Sequence, residues 1–396
     1  MKMGRWAGLS LVAAVFLAGC AGFWDPPSSS TTTTTPTTLS SGVFYVLNQT
    51  TKQIAAYSIS SGKLQTVSGS PYTLSVAPTS IAIAPGGGFL YVGTVNGIYL
   101  YAIGSGGSLT LANNSSTISS DIPAAMWVSG SWLVDGFTTA SGAVQLDAIP
   151  INPSTGVYAG PGGAPPSQTF NITDAAIKQM VLSPDGANLF VALGAGGTIV
   201  VPFTSGNSNP LSATAKTIGV LNSGGSALSV AVDPTTRLFY IGETLANSSA
   251  NSGGLRAFNY GSLSSGTLTQ ATGSPIASGG LAPNAILPIA SGEYVYVANG
   301  NGQTGAGNVA WFPIATSAGT TYTIATGSTI AAGIQPVSLA EDSENNFVLA
   351  VSTGGSTSSG NPDFEAFTMN SGTLTAALTS ATGTDPVGAV AIAPLP

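Results

Sequence analysis

The feature that most constrains the fold is a stretch of sequence that returns, in degenerate form, at intervals of roughly 50 residues. It first occupies residues 78–92, PTSIAIAPGGGFLYV. Six later copies begin at Pro123, Ala176, Ala227, Pro283, Pro336 and Pro386. Self-similarity at a fixed period of this length is typical of proteins built from stacked supersecondary units. The sequence therefore predicts a repeat protein.

Each copy alternates bulky and small side chains. In the first copy Ile81 and Ile83 are bulky, whereas Ser80 and Ala82 are small. A period of two indicates a β-strand with one bulky face and one small face. When such sheets stand around an axis, the bulky face of one fits the small face of the next, as in a β-propeller. A Gly- or Asp-containing turn follows, and then a second strand rich in aromatic and β-branched residues.

The two ends of the repeat region complement each other. The first partial repeat, from Val43, enters at the second strand of a blade, and the last copy, from Pro386, supplies the missing inner strand. Pairing of these N- and C-terminal strands would close the ring and leave no long strand edge open. We therefore predict that residues 42–396 form an all-β, seven-bladed β-propeller of four-stranded antiparallel blades.

The first twenty residues have the pattern of a secretion signal. Lys2 and Arg5 precede an apolar run that is too short for an ordinary membrane-spanning helix. The ending Leu-Ala-Gly-Cys resembles the bacterial lipobox, which implies that Cys20 is lipidated and becomes the mature N-terminus, where several acyl chains give stable anchoring. Because Ala21 rather than Asp follows, the resemblance implies an outer-membrane lipoprotein of the cell envelope. The alternative is a plain secretory peptide with an accidental cysteine.

Residues 21–41 include PPSSSTTTTTPTTLSS and show no aliphatic periodicity. This composition predicts a disordered tether between the anchor and the propeller.

Composition excludes several classes of function. Charged residues make up 6% of the chain, the net charge is -7, and histidine is absent. Nucleic-acid binding is not expected, because it needs clustered Lys and Arg. The single cysteine, Cys20, excludes disulfides within the chain and cysteine-based zinc sites. We predict no cofactor and no metal site.

The motif YVAN at residues 296–299, the looser YVLN at residues 45–48 and recurring Ser-Gly-Xaa-Leu turns resemble YVTN-type propellers and the wider lactonase-like propeller family. The resemblance covers nearly everything from Val43 onward and implies a seven-bladed propeller. Family members that act on lactones, including a phosphorylated sugar lactone, are understood to use histidine, arginine and glutamate around the channel mouth. This chain departs from that pattern, because it has no histidine and few arginines.

Four residues are candidates for catalysis: Lys178, Glu243, Glu341 and Asp342. Glu341 occupies a position that is apolar in other copies, so it would lie at a packed interface between blades. A buried carboxylate needs a partner or stays protonated, and Lys178 or a cation could be that partner. The alternative is that these acids are solvated at the rim of an irregular blade.

One face of the propeller is expected to carry polar loops, because loops between second and third strands share a face with the crossovers between blades. Neutral amides and hydroxyls there suit sugars or peptide backbones, although Asn also simply favours turns. The candidate ligand-binding residues are Asn48, Thr94, Asn96, Glu243, Asn299, Asn301 and Gln303.

The sequence thus favours a lipid-anchored, extracytoplasmic module that binds or scaffolds a protein or glycan. The alternative is a lactonase-like hydrolase with a non-standard site. The enzyme hypothesis predicts that two or more of the catalytic candidates meet in a channel-mouth pocket, whereas the binding hypothesis predicts that they are scattered.

Overall fold

The computed structural model describes residues 41–246, 252–300, 306–316, 321–353, 363–380 and 389–396. Regular structure in these ranges is β-strand apart from three 3-10 helices, Ser105–Gly107, Asn113–Ser115 and Tyr260–Leu263. Cys20, Asn301 and Gln303 lie outside the described residues, as do the predicted signal and all but the last residue of the predicted tether. None of the described helices has the length and apolarity needed to cross a lipid bilayer.

Three antiparallel sheets are built from the first twelve described strands and from the last one. One consists of β1 Phe44–Asn48, β2 Gln53–Ser60, β3 Lys63–Thr66, β4 Tyr72–Thr73 and β30 Ala389–Pro394. The next consists of β5 Pro78–Ile83, β6 Phe89–Thr94, β7 Gly97–Ile103 and β8 Leu109–Leu111. The third consists of β9 Ala125–Ser129, β10 Trp132–Thr138, β11 Val144–Pro150 and β12 Ser167–Phe170.

The remaining strands form three further sheets. The largest has eight strands: β13 Ala175–Leu182, β14 Asn188–Gly194, β15 Thr198–Pro202, β16 Lys216–Ile218, β17 Ala227–Val232, β18 Leu238–Glu243, β19 Gly254–Asn259 and β20 Ile276–Ala277. Another contains β21 Ala282–Pro288, β22 Tyr294–Gly300, β23 Ala306–Thr316, β24 Tyr322–Ile324 and β25 Ser328–Ile334. The last contains β26 Pro336–Glu341, β27 Phe347–Ser352, β28 Phe364–Asn370 and β29 Thr373–Ser380.

The sheets are arranged as a propeller-like ring. The innermost strands contact one another in the order β5, β9, β13, β17, β21, β26 and β30, and β30 then contacts β5. The prediction that the two ends of the chain meet is confirmed, because β1 pairs with β30 in an antiparallel register that places Val46 opposite Ile392. Both edges of β1 are therefore covered, by β30 on one side and β2 on the other.

The number of separate sheets differs from the prediction of seven blades. Within the described residues, five sheets are separate blades and the sixth sheet is the eight-stranded one. The physical reason is that β14 and β17 share a single residue pair, Gly194 with Ala227, which joins two four-stranded units. The prediction of seven separate four-stranded sheets is thus wrong in its count.

The stretch in which bulky and small residues alternate forms a strand in β5, as predicted, but the two faces of this strand are used differently from the prediction. The small residues Ser80 and Ala82 are buried, whereas Ile81 and Ile83 are half-buried and line the central cavity. Small side chains here allow neighbouring inner strands to approach closely near the axis.

Polar side chains on inner strands form hydrogen bonds with backbone groups on, or just before, the next inner strand, and we call this set the inner belt. Its bonds are Ser80 Oγ to Pro123 O (3.3 Å), Val230 N to Gln179 Oε1 (3.0 Å), Ser229 Oγ to Pro283 O (2.7 Å), Asn284 Nδ2 to Pro336 O (2.9 Å) and Ile392 N to Ser338 Oγ (3.3 Å). Three of the acceptors are carbonyls of prolines at or near the start of a repeat copy. The recurring proline and the recurring polar residue are therefore two halves of one contact between sheets.

The tyrosine of the YVAN motif also joins neighbouring sheets. Tyr296 is fully buried, and its hydroxyl donates to Gly372 O at 3.0 Å, in the Ser-Gly-Xaa-Leu turn of the next sheet. Tyr45 and Tyr91 make equivalent bonds of 2.9 Å to Gly107 O and Gly156 O. Each acceptor glycine has a positive φ, between 72° and 83°, which side-chain-bearing residues rarely adopt. The tyrosine of the YVAN motif and the glycine of the Ser-Gly-Xaa-Leu turn therefore contact each other between neighbouring sheets.

Candidate functional site

The inner strands surround a central cavity of about 590 Å³. Its apolar lining includes Ile81, Met126 and Leu339, and the half-buried indole of Trp127 also lines it. The polar side chains of the lining are Thr79, Ser80, Lys178, Gln179, Asn284 and Ser338. A mostly apolar concavity with a few polar groups has the composition and size of small-ligand sites.

Lys178 carries the one ionisable side chain among the residues that line this cavity, and it is exposed. Its ammonium can pair with an anionic group, and Trp127 offers an aromatic face for an apolar or sugar ring. Among the described residues, no carboxylate side chain lines the cavity with Lys178. The described lining therefore contains no pair of titratable side chains of the kind that acid–base catalysis uses.

Glu243, at the end of β18, lies in a buried ion pair. Its Oε1 accepts a hydrogen bond from Arg256 Nη1 at 2.8 Å, and its Oε2 accepts one from Leu221 N at 3.0 Å. Arg256 also donates to Gly219 O at 2.9 Å. Glu243 is 2% exposed and Arg256 is 8% exposed. The pair therefore holds the crossover between β16 and β17 against its sheet.

Glu341 and Asp342 lie elsewhere. Glu341 lines a second cavity of about 300 Å³, and its Oε2 accepts from Ala290 N at 2.8 Å. Burial, with a smaller effect from the charge of Asp342, raises the pKa of Glu341. Asp342 is buried and accepts hydrogen bonds from backbone amides of its own β-turn, including Asn346 N at 2.9 Å. Burial raises the pKa of Asp342, against these hydrogen bonds.

The catalytic candidates thus have separate surroundings: Lys178 lines the central cavity, Glu243 binds Arg256, and Glu341 lines the second cavity. The structure brings together only the chain neighbours Glu341 and Asp342 from this set of four.

Most described members of the predicted ligand-binding face hold loops in place. Asn48, Thr94 and Asn299 are fully buried at the ends of second strands. Asn48 Oδ1 accepts from Thr51 N, and Thr94 Oγ1 donates to Gly97 O. Asn299 Nδ2 donates to the backbone carbonyl of the crossover residue Ser278 at 2.7 Å. Asn96, by contrast, is exposed and available for contact with a ligand.

Three aspartates that the repeat pattern did not single out lie together. Carboxylate oxygens of Asp121, Asp135 and Asp147 are within 4.8 Å of one another. The available signal was Asp135, which interrupts an otherwise apolar second strand, WLVDGF. The loop that brings Asp121 to the cluster has no such pattern.

Glu365 on β28 is an isolated buried carboxylate with a strongly perturbed acidity. It is 5% exposed, and its Oε2 accepts from Gly333 N, on β25 of the preceding sheet, at 2.9 Å. Burial raises the pKa of Glu365 to about 7, and the hydrogen bond opposes this shift only in part. Between pH 4.5 and 7 the folded state therefore binds a proton that the unfolded state releases.

The sign of this linkage gives a prediction. A folded-state pKa above the unfolded value means that stability falls as pH rises through this window, by up to about 3 kcal/mol. Glu365→Gln is expected to match the wild type near pH 4.5 and to have the larger free energy of unfolding at pH 8, as measured by urea denaturation. Glu344→Gln, which removes an exposed carboxylate from the same sheet, is the control. Equal pH profiles for wild type and Glu365→Gln would contradict the assignment.

Comparison with solved structures supports the fold. A candidate 6-phosphogluconolactonase from Bacteroides uniformis matches with a TM-score of 0.64 and 16% identity, over 89% of this chain and 99% of that one. A candidate 6-phosphogluconolactonase from Bacteroides fragilis matches with a TM-score of 0.65 and 15% identity, over 89% and 97%. A protein from Lactobacillus plantarum matches with a TM-score of 0.59 and 16% identity, over 89% and 99%.

The chain has the fold of these three structures. At 15–16% identity the likeness extends to the fold alone. No protein-family model matches the sequence, and neither does any curated protein.

Proposed function

We propose that the chain is a ligand-binding propeller whose central cavity, beside Lys178 and Trp127, binds a glycan that carries a carboxylate. The observation that carries the proposal is the lining of that cavity, where one cation and one aromatic ring stand among neutral amides, hydroxyls and aliphatic side chains. A sugar ring has an apolar face that can stack on an indole, and its hydroxyls suit amide partners. Lys178 would pair with the carboxylate.

The proposal is tested with defined acidic and neutral oligosaccharides by isothermal titration calorimetry. Lys178→Gln is expected to weaken binding of the acidic ligand about tenfold, which corresponds to about 1.4 kcal/mol, because a charge-assisted contact becomes a neutral one. Binding of a neutral analogue is expected to change little. Trp127→Ala is expected to weaken both, since stacking does not depend on charge.

Lys216→Gln is the matched control for charge. Lys216 Nζ donates to Leu263 O at 3.1 Å, and Lys216 does not line the cavity. An equal loss of affinity in Lys216→Gln and Lys178→Gln would show a general effect of net charge rather than a site. Absence of binding for every oligosaccharide tested would reject the glycan proposal.

Lactone hydrolysis is the second candidate, favoured by the likeness to structures described as candidate 6-phosphogluconolactonases. The cavity argues against it, because the chain has no histidine and the described part of the lining holds no carboxylate beside Lys178. Turnover of 6-phosphogluconolactone or an unphosphorylated aldonolactone above the spontaneous rate, and its loss in Lys178→Gln, would favour this candidate over the binding role.

We infer further that the eight-stranded sheet acts as two blades, which gives seven in total. The support is the ring of seven inner strands and the single residue pair between β14 and β17. Lipid anchoring at Cys20 in the outer membrane is also proposed, on the lipobox-like sequence alone. The mass of the N-terminal peptide of the mature protein tests it, since an unmodified or absent Cys20 would reject anchoring.

A further inference from the structure

The three clustered aspartates come from two strands and one crossover. Asp135 lies on β10 and Asp147 lies directly opposite on β11, so both side chains project from the same face of the sheet. Asp121 belongs to the crossover from β8 to β9 and reaches the same place. Asp135 is fully buried, Asp147 is 5% exposed and Asp121 is half-buried.

The negative charge of this cluster is not balanced by the described protein groups. Both carboxylate oxygens of Asp135 are buried without a hydrogen-bond partner. Asp147 Oδ1 accepts one bond, from Gln145 Nε2 at 2.8 Å, and Asp121 accepts one from Ser119 Oγ. Neither ion pair in the described part of the chain includes any of the three aspartates. A buried charge without a partner is strongly unfavourable.

Burial, followed by the charges of Asp121 and Asp147, raises the pKa of Asp135 well above its usual range. Burial likewise raises the pKa of Asp147. Three ionised carboxylates are therefore unfavourable at this site unless a cation is bound.

The corresponding part of the β17–β20 unit shows how the same problem is solved within the chain. By register with the inner strand, Asp135 corresponds to Ile241, and Asp147 corresponds to Arg256. Arg256 places its guanidinium beside the buried Glu243 and holds the adjoining crossover. In the β9–β12 sheet this third-strand position holds Asp147, so a carboxylate stands where the β17–β20 unit has the guanidinium of Arg256.

We infer that Asp121, Asp135 and Asp147 form a binding site for one hard divalent cation, Ca²⁺ in the first place. Two oxygens that each lie about 2.4 Å from one ion can be at most about 4.8 Å apart, and the three carboxylates meet this limit. Carboxylate oxygens are the preferred ligands of Ca²⁺ and Mg²⁺. Ca²⁺ is the better fit because it tolerates irregular ligand positions, whereas Mg²⁺ demands a near-octahedral set and retains more water.

The cation would fasten a crossover to its sheet. Ile98 N donates to Ser119 O at 3.0 Å, so the segment next to Asp121 is already fixed to β7. A cation shared by Asp121, Asp135 and Asp147 would connect this segment to β10 and β11. The cation would therefore hold the crossover against the β9–β12 sheet, as Arg256 holds a crossover against the β17–β20 unit.

The test uses the purified full chain, stripped with a chelator and transferred to chelator-free buffer. Addition of millimolar Ca²⁺ is expected to raise the melting temperature by about 3 °C or more, since a ligand that binds the folded state stabilises it by mass action. Calorimetric titration is expected to show one equivalent of Ca²⁺. Mg²⁺ is titrated in parallel and is expected to give a smaller rise.

Asp135→Asn is expected to abolish the response to Ca²⁺ and, without cation, to melt no lower than the stripped wild type, because it removes an unpaired buried charge. Asp121→Asn, at a half-buried position, provides the same test if Asp135→Asn does not fold. Glu365→Gln is the matched control, since Glu365 holds the corresponding third-strand position in another sheet; its response should equal that of the wild type. No response to either cation, or an unchanged response in both aspartate variants, would overturn the proposal.

Discussion

Replacement of Arg256 by methionine is expected to lower the free energy of unfolding by about 3–5 kcal/mol. The change removes the guanidinium that neutralises Glu243 and leaves a carboxylate that is 2% exposed without its ionic partner. It also removes the donor to Gly219 O, so the crossover between β16 and β17 loses a second attachment. Guanidinium denaturation monitored by tryptophan fluorescence and by circular dichroism measures the loss.

A double variant separates the charge effect from lost packing. Glu243→Leu combined with Arg256→Met removes both charges, and buried ion pairs replaced by apolar residues often leave stability nearly unchanged. The double variant is therefore expected to recover most of the stability that Arg256→Met loses. A single variant within about 1 kcal/mol of wild type, or a double variant no better than the single one, would contradict this account.

Removal of residues 389–396 is expected to prevent stable folding. Every residue of β1 is buried, and β1 would lose the strand that covers its inner edge. Ile392, which belongs to a hydrophobic cluster with Phe44 and Val46, would be lost as well. The combined effect exceeds about 5 kcal/mol, which is comparable to the total stability of many domains. Size-exclusion chromatography should show aggregates, and calorimetry should show no cooperative transition.

Deletion of Pro396 alone is the control for this truncation, because it leaves β30 and the bond from Leu395 N to Val43 O in place. It is expected to fold like the full chain. A monomeric, cooperatively melting protein that ends at residue 388 would show that closure of the ring is not needed for stability.

The ring could be predicted from the sequence because its determinants are local and repeated. Period two in PTSIAIAP indicates a strand, and the complementary ends at Val43 and Pro386 predict closure. The glycine of the Ser-Gly-Xaa-Leu turns was also predictable, since a positive φ favours glycine wherever the chain turns tightly. Its contact with a tyrosine of the neighbouring sheet was not, because Tyr296 and Gly372 are 76 residues apart.

The number of sheets and the positions of the charged sites depend on how separate strands pair. The sequence of one repeat copy does not determine that pairing. One pair between Gly194 and Ala227 is enough to join two four-stranded units. Asp135 and Asp147 face each other only because β10 and β11 pair in one register out of several that the sequence permits. Likewise, Glu341 stands at an apolar position of its repeat, and only the neighbouring sheet reveals that Ala290 N satisfies it.

The inner belt bears on how such a chain can grow in evolution. The repeat copy around Asn284 carries both parts of this contact, because the carbonyl of its Pro283 accepts from Ser229 Oγ of the preceding copy and its Asn284 Nδ2 donates to Pro336 O of the next copy. Tandem duplication of such a copy would insert a new sheet that already carries the acceptor for one neighbour and the donor for the other. Duplication of a repeat would therefore preserve the hydrogen bonds between inner strands. A change in the number of sheets would instead have to be accommodated where β1 pairs with β30.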